Sequence, residues 1–272
     1  MRKIIVFFLS IVTITLFAEP SEIDYNHAEN TPLYFGNPSD AITDIECADN
    51  YLMEKDEYTL SYNNFLLIPN WVGWHLCSSD FGEADRSNKF APDSTLPEEW
   101  YAVKKADYQF AAYGFDRGHV CPSADRTTSK ESNEVTFLMT NMIPQSPDCN
   151  RIIWKELEEY ERKLALEGNE LYIFAGPFGS GGTGNRGYFT QIDLDNNLAI
   201  RVPEFCWKVI LAIPEGTDDL QRIKDAPEIA QMICVFIPNC QDLQMTGGWE
   251  QFECELNYIE EITHLDFFEL IE

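Results

Sequence analysis

The chain is poor in basic residues. Lys and Arg number 19 against 46 Asp and Glu, which gives a formal net charge of -27 at pH 7. A surface of this sign repels polyanions, and binding to phosphates normally relies on Lys and Arg. Net charge concerns solubility and association more than fold, so a single cleft can differ from the whole. The composition therefore argues against a broadly basic nucleic-acid surface but leaves room for a small phosphate-binding cleft.

Zinc-cluster and nucleotide-binding patterns are also missing. There is no CxxC pair, and Cys234 and Cys240 have no histidine nearby, so the cysteines do not indicate a zinc cluster. A G-x-G-x-x-G match begins at Gly179, but β-favouring residues follow it where a dinucleotide site requires a helix. No Lys-Ser or Lys-Thr pair follows, as a Walker-type loop would require. We therefore predict a flexible hairpin loop at this stretch.

A long apolar run opens the chain, in "MRKIIVFFLSIVTITLFA". Arg2 and Lys3 precede the run and Ala18 ends it, which is the pattern of a cleaved secretory signal peptide. A transmembrane anchor is the alternative, but the run is short for a span and no basic flank follows it. We predict cleavage after Ala18. The protein would then be secreted or periplasmic, with no membrane attachment once residues 1–18 are removed.

The remaining 272 − 18 = 254 residues show no Pro/Gly/Ser linker, repeat or low-complexity tract. This length fits one domain with a sizeable core. Residues 19–44 are polar and rich in turn formers, so we predict an irregular N-terminal arm there and a single domain over 45–272. All eight cysteines follow the signal peptide, which makes disulfides the default in an exported protein, although spacing does not fix their pairing.

Several segments have the pattern of strands or helices. Apolar, β-favouring runs predict strands at 57–76, 134–145, 205–213 and 232–238, the first run as two strands with a break at Pro69 and Asn70. A helix is predicted from Asn150 to about Gly168, and weaker helical patterns occupy 218–233 and 258–272. Clustered strands with a few helices indicate an α+β fold.

The stretch "FDRGHVCPSADR", residues 115–126, gathers groups suited to phosphodiester chemistry. Arg117 and His119 are two residues apart, so an extended backbone projects both side chains to the same side. A neutral imidazole with a pKa near 6.5 is a natural base for drawing a proton from water. The neighbouring arginine can hold phosphate oxygens and disfavours protonation of the imidazole. Together they indicate a base beside a phosphate clamp.

The predicted helix that follows supplies oxygen ligands for a metal. Asn150 and Glu158 are donors of the kind that Mg²⁺ accepts. Eight helical residues rise about 12 Å, so Glu158 reaches only the metal's water shell unless Asn150 lies before the first turn. Arg162 follows Glu158 by four residues and would orient its carboxylate. The alternative is an ordinary solvated helix with a capping Asn and an ion pair.

The ordered set "DRGH", "TNMIPQ" and "NRIIWKELEEYER" resembles the DNA/RNA non-specific endonuclease family, and similar segments cover most of the chain after residue 18. The resemblance implies a mainly antiparallel central sheet flanked by helices, with a ββα-metal catalytic element. It implies a Mg²⁺-dependent, sugar-non-specific endonuclease that cleaves DNA and RNA without sequence specificity and leaves 5′-phosphate and 3′-hydroxyl ends. Mn²⁺ is the expected substitute for Mg²⁺.

The same resemblance assigns a role to each matching residue. The general base is His119, the direct metal ligand is Asn150, the holder of metal-bound water is Glu158, and the residues around the phosphate are Arg117 and Arg162. Asn141 would arrange the site, and Arg86 would contact phosphate. Two other functions stay open, a catalytically inactive secreted binding protein on the same fold and a phosphodiesterase for a smaller substrate. The oligomeric state is not indicated.

One disulfide hypothesis follows from the site. Cys121 and Cys149 lie within two residues of His119 and Asn150, which must converge on one metal, so the two cysteines should come close enough to bridge. The alternative is that Cys149 pairs elsewhere and that Cys121 is a small buried residue.

Overall fold

A computed structural model describes residues 27–243 and 247–271 of the chain. The predicted signal peptide at 1–18 lies outside the described residues. Within the described part, no helix is both long and apolar enough to cross a membrane.

The strands and helices alternate irregularly along the chain. The strands are β1 (Tyr51–Glu54), β2 (Thr59–Asn63), β3 (Ile68–Leu76), β4 (Asp116–His119), β5 (Met142–Gln145), β6 (Asn169–Phe178), β7 (Gly182–Gly184), β8 (Gly187–Phe189), β9 (Gln191–Asp193), β10 (Ala199–Arg201), β11 (Phe205–Pro214) and β12 (Gln231–Pro238). The α-helices are α1 (Phe110–Tyr113), α2 (Lys130–Val135), α3 (Lys155–Leu166), α4 (Asp219–Asp225) and α5 (Leu256–Thr263), and a π-helical segment, Cys149–Trp154, leads directly into α3.

The centre of the fold is a six-stranded sheet in the order β1-β2-β3-β6-β11-β12. Every neighbouring pair in it is antiparallel. Helices flank this sheet, and β4 and β5 form a separate antiparallel pair. The architecture confirms the predicted α+β fold with a mainly antiparallel central sheet.

Alternating side chains divide the core into two layers, one on each face of the sheet. On β6, Ile173 belongs to the layer that contains residues of β5 and α3, while Phe174 belongs to the opposite layer. Phe35, near the start of the described chain, and Phe267, near its end, are both fully buried in that second layer. Burying one such side chain contributes about 1.5–3 kcal/mol. The sheet is therefore stabilised on both faces.

The predicted first hairpin forms, but its turn lies earlier than predicted. Residues 64–67 connect β2 to β3, and Leu67 adopts a left-handed conformation with φ of 57°. Pro69 and Asn70, the predicted break, lie inside β3. Pro69 pairs with Tyr62, where the register shifts as in a β-bulge, and a bulge is one of the few places where a sheet accepts proline.

The prediction of a strand at 134–145 is wrong over its first two thirds. Ser129 caps α2 by accepting a hydrogen bond from the Ser132 amide, and the helix runs to Val135. A 3₁₀ turn, Met139–Asn141, follows, and only the last four residues form β5. The apolar run is mostly buried as expected, but its first two residues belong to the helix that Ser129 caps.

The later predictions agree better with the structure. The strands at 205–213 and 232–238 are confirmed as β11 and β12, and β7 and β8 form a hairpin at the glycine-rich stretch. The long helix ends as predicted near Gly168, which has φ of 92°. The charged segment 218–233 contains the short α4 before β12 begins, and α5 ends at Thr263, well before the predicted end.

The cysteines do not pair as hypothesised. All eight are free thiols, and Cys121 and Cys149 are not joined. The Cys149 thiol instead interacts with Cys206 of β11. His119 and Asn150 converge through their own side chains, whereas Cys149 lies on the core side of its helix, so proximity of the neighbours did not bring the two thiols together.

Candidate active site

The DRGH stretch forms β4, one strand of a two-stranded element. Its register pairs His119 with Met142 and Gly118 with Ile143 of β5. A Cβ atom built at Gly118 would lie 1.9 Å from Oε1 of Gln145, a fully buried side chain. The motif therefore has glycine at this position because the neighbouring strand leaves no room for a side chain.

Arg117 and His119 line one cleft of about 240 Å³, as their spacing predicts. His119 ends β4 and is 7% exposed, and its ring packs edge-to-face on Phe137 at 4.6 Å between centroids. Burial, and then Arg86 and Arg117, lower its pKa to about 3. The imidazole is thus neutral at neutral pH. Its pKa is lower than the value near 6.5 that a free histidine would have, so the base form is favoured more strongly than the sequence predicts.

The Nε2 atom of His119 is buried and makes no hydrogen bond within the protein. A buried polar atom without a partner is costly unless a ligand or water completes it. A neutral ring with a free nitrogen at a cleft can accept a proton from a bound water molecule.

Asn150 lies in the π-helical segment that precedes α3. Its backbone amide donates to the carbonyl of Ser146 (2.9 Å), and its side-chain Nδ2 donates to Oδ2 of Asp116 (2.9 Å). The amide group is thereby oriented, which leaves its carbonyl oxygen available to a metal. Single π-helical turns are often found at functional sites. The segment brings Asn150 to the same cleft as Glu158, eight residues further along.

Glu158 contributes the carboxylate of this cleft. Its partial enclosure raises the pKa to about 8, while the cations Lys208 and Arg162 lower it. A divalent cation near this carboxylate would favour its ionised form. The donor set of one amide oxygen, one carboxylate and an adjoining water site fits Mg²⁺, which keeps most of its waters and takes few protein ligands.

Arg86 and Arg117 stand at the cleft, and aromatic rings support both. The Arg86 guanidinium lies 4.9 Å from the Phe137 ring centroid and donates to Oγ of Ser123 (2.5 Å). The Arg117 guanidinium lies 4.6 Å from the Phe90 ring centroid. Stacking on a ring fixes the plane of a guanidinium while leaving donors free for phosphate.

The cleft is locally basic in a strongly acidic chain. Arg151 and Lys155 join Arg86 and Arg117 among its ten lining residues, and Glu158 is its one acidic side chain. The electrostatic character of the cleft is therefore opposite to that of the whole chain.

Arg162 and Asn141 lie behind the cleft and do not line it. Arg162 donates to Oδ1 of Asp125 (3.0 Å) and not, as its spacing suggested, to Glu158. Asn141 is fully buried and holds the loop after β4, accepting from the Cys121 amide and donating to its carbonyl, both at 2.9 Å. Both residues are placed to position neighbours of His119 and Glu158.

The sequence offered little indication of two further residues. Asp116 accepts from Asn150 and also from Arg151, at 2.7 and 2.8 Å, and so ties β4 to the start of the helix. Asp125 accepts from Arg162 and from the Trp74 indole (3.1 Å). Both aspartates are visible in the motifs "DRGH" and "PSADR". The residues that they bind lie more than 30 positions away along the chain, so the sequence does not show these contacts.

Comparison with known proteins gives a consistent result. The profile of the DNA/RNA non-specific endonuclease family matches residues 42–272. A nuclease of Nostoc sp. (strain PCC 7120) is 42% identical over 235 residues, which are 86% of this chain and 79% of the relative. Nuclease C1 of Cunninghamella echinulata is 29% identical over 247 residues, 88% of each protein.

Further matches extend to mitochondrial proteins and to a solved structure. The mitochondrial nuclease EXOG of Mus musculus is 29% identical over 216 residues, 78% of this chain and 55% of the relative. A chain from the crystal structure of the EndoG/EndoGI complex superposes with a TM-score of 0.69 at 23% identity, covering 90% of this chain and 95% of that one. At that identity the superposition supports the fold alone.

Proposed function

Because the chain belongs to the DNA/RNA non-specific endonuclease family, we propose that its basic cleft hydrolyses the phosphodiester bonds of both DNA and RNA with Mg²⁺ as cofactor. Family membership makes the protein a nucleic-acid-hydrolysing enzyme of a metal-dependent class. The identity of the metal, the lack of sugar and sequence specificity, and the roles of individual residues belong to the proposal.

One observation carries it. A neutral histidine with an unpartnered Nε2 shares a cleft with three arginines and two oxygen donors suited to a metal. Each group serves a different need of phosphodiester hydrolysis, namely a base, phosphate binding and cation binding. The basic lining also resolves the conflict with the chain's net charge, because the local field at the cleft is the one that meets the substrate.

In the proposed reaction, Nε2 of His119 accepts a proton from the attacking water. The water oxygen bonds to phosphorus, and the bond to the 3′ oxygen of the sugar breaks. That oxygen takes up a proton from solvent, which leaves 5′-phosphate and 3′-hydroxyl ends. Arg86 and Arg117 hold the non-bridging oxygens of the phosphate. Asn150 and Glu158 would hold the divalent cation, whose chemistry is to stabilise negative charge developing on the phosphate and leaving oxygen.

The lack of base and sugar specificity rests on what the cleft offers. Its charged lining groups are suited to phosphate, and phosphate contacts carry no sequence information. We retain export through the signal peptide at 1–18, with an arm at 19–44 and the catalytic domain over 45–272, as parts of the proposal. Some relatives are mitochondrial by name, so location requires its own measurement.

The test is a plasmid-nicking assay run in parallel with a single-stranded RNA substrate, with Mg²⁺ and with EDTA. Wild-type protein should cut both polymers, and EDTA should abolish cutting. His119→Ala should lower kcat by roughly 10² to 10⁴, the usual contribution of a positioned base, while substrate binding persists. His264→Asn is the matched control, because His264 is exposed and lies outside the cleft, and Asn tolerates its left-handed backbone.

Three results would replace the proposal. Near-normal rates in His119→Ala would remove the base assignment. Binding of nucleic acid without cleavage would support the inactive binding protein. Hydrolysis of bis-p-nitrophenyl phosphate with no cleavage of either polymer would support a phosphodiesterase for small substrates.

A further inference from the structure

A second cavity in the described part of the chain is separate from the cleft of His119. It encloses about 670 Å³ and is lined in part by His75, Asp80 and Arg126, none of which lines the nuclease cleft. His75 points to the opposite side of the sheet, because it alternates with Trp74, which belongs to the layer of β5 and α3. A ligand bound here would not compete with a nucleic-acid substrate.

Three side chains of different chemistry lie close together at the edge of this cavity, and two of them, His75 and Asp80, line it. His75 lies near the end of β3, Cys77 follows the strand, and Asp80 closes the short 3₁₀ turn Ser78–Asp80. One ligand atom from each lies within 4.8 Å of the others, and they are the one such group of three His, Cys, Asp or Glu residues in the described part of the chain. Imidazole, thiolate and carboxylate are the ligands that zinc uses in proteins.

A fourth residue, Glu170, orients the histidine. The β3–β6 register places His75 opposite Tyr172, which brings Glu170 close to the end of β3. Its Oε2 lies 3.2 Å from Nε2 of His75. A carboxylate only accepts hydrogen bonds, so in the neutral form of the ring Nε2 carries the proton and Nδ1 keeps its lone pair for a metal. Carboxylates commonly bond the second nitrogen of metal-binding histidines in this way.

The surrounding charges favour a cation on balance. Arg126 is the opposing group beside the ligands, with Nη1 3.4 Å from Oδ1 of Asp80. Lys55 also lines the cavity, but its charge is balanced by Asp93 at 2.9 Å. Asp80 retains Oδ2, which accepts from the Cys77 amide at 2.9 Å and has further lone pairs. The rim of the cavity adds Glu54, Asp56 and Glu57. Two anionic ligands with acidic neighbours therefore outweigh one guanidinium.

We propose that His75 (through Nδ1), Cys77 and Asp80 bind one Zn²⁺ or a similar borderline divalent metal, with water as the fourth ligand. Zinc binds nitrogen, oxygen and sulfur at about 2.0–2.3 Å, so ligand atoms of one ion stand closer together than 4.8 Å. The side chains of Cys77 and Asp80 are only partly buried and must close by about an ångström. Binding would join the end of β3 to the turn that follows it.

Co²⁺ is the probe, because a cobalt–thiolate bond gives a charge-transfer absorption that magnesium-type oxygen sites do not. The full mature chain, reduced with a phosphine, is titrated with Co²⁺ and then with Zn²⁺. We expect the band to saturate at one equivalent and to disappear when Zn²⁺ displaces the cobalt. Cys77→Ser should abolish the band. Asp80→Asn should weaken Co²⁺ binding by more than about 10-fold, because loss of even an outer-shell partner of a metal ligand costs that much.

Two control variants make the assignment specific. Cys47→Ser removes another partly exposed thiol, and Asn150→Ala removes the proposed nuclease ligand, so both should keep the band. Cys77→Ser should also keep the nicking activity, which shows that this site is separate from the nuclease cleft. Its thermal midpoint without metal should equal that of the wild type, which shows that the variant is folded. The proposal is overturned by absence of the band in the wild type, by its survival in Cys77→Ser, or by its loss in either control.

Discussion

Replacing Glu161 by Met should destabilise the protein more than replacing its partner Lys208 by Met. The two side chains form an ion pair with Nζ 2.8 Å from Oε1, and both are fully buried. The ammonium also lies 4.4 Å from the ring centroid of Trp154 and 5.3 Å from that of Trp74. The second carboxyl oxygen, Oε2, is buried without a hydrogen-bond partner. Each charge of this buried pair is therefore stabilised mainly by the other one.

The asymmetry follows from how easily each residue gives up its charge. Burial raises the pKa of Glu161 to about 7 even with Lys208 present, so in Lys208→Met the carboxyl takes up a proton at neutral pH at little cost. We expect that variant to lose about 1–2 kcal/mol, the order of the lost cation–π contacts. In Glu161→Met the buried ammonium is left without its partner, and breaking a buried pair from one side costs about 3–5 kcal/mol.

The pH dependence of the Lys208→Met variant should follow the carboxyl of Glu161. Without Lys208, the folded pKa of Glu161 rises further above the unfolded value, so stability relative to the wild type falls as pH rises from 7 to 9. The slope is at most about 1.4 kcal/mol per pH unit.

Urea denaturation followed by fluorescence at pH 7, 8 and 9 measures these differences, since about 3–5 kcal/mol is a large share of a typical stability. The double variant with Met at both positions should be more stable than Glu161→Met alone, because an apolar pair needs no desolvation. Equal losses in the two single variants at pH 7, or a double variant whose loss equals their sum, would refute the reasoning.

Three further expectations concern the cleft. The lowered pKa of His119 should keep the acid limb of kcat/KM well below pH 6.5, and Arg86→Gln should shift this limb upward; a wild-type limb at pH 6.5 would contradict the burial argument. Asn150→Ala should raise the Mg²⁺ concentration for half-maximal nicking, with part of the rate restored by excess Mg²⁺; an unchanged Mg²⁺ requirement would remove it as a ligand. Gly118→Ala should cost about 1–3 kcal/mol in urea denaturation because its methyl group would overlap Gln145, and an unchanged midpoint would show that Gln145 moves aside freely.

The parts of the site that the sequence predicted are those set by short spacings. Arg117 and His119 reach one cleft because a strand repeats every two residues, and Gly168 ends the long helix because it tolerates positive φ. The general α+β architecture followed from the distribution of apolar runs. These features depend on neighbours in the chain, which a sequence displays directly.

The features that the sequence did not reveal depend on partners far along the chain. Asp116 orients Asn150 across 34 residues, and Asp125 binds Arg162 across 37, so that Arg162 no longer reaches Glu158 directly. Spacing within the helix could suggest only the i,i+4 pair. The choice between that pair and the observed one depends on where β4 and α3 pack, which is set by tertiary structure.

Both ends of the described chain meet on the face of the sheet that lies away from the cleft. Phe35 and Phe268 pack edge-to-face with centroids 6.1 Å apart, and the Asp266 amide donates to the Pro38 carbonyl (2.9 Å). The β4–β5 pair and α3, which carry the cleft residues, cover the other face. A bead, a surface or a fused partner attached at the C-terminal end of the described chain would therefore lie on the side of the sheet opposite the cleft. Long polymers in solution would still reach the cleft. Immobilised preparations for removing nucleic acid from a flowing sample should use that end of the chain.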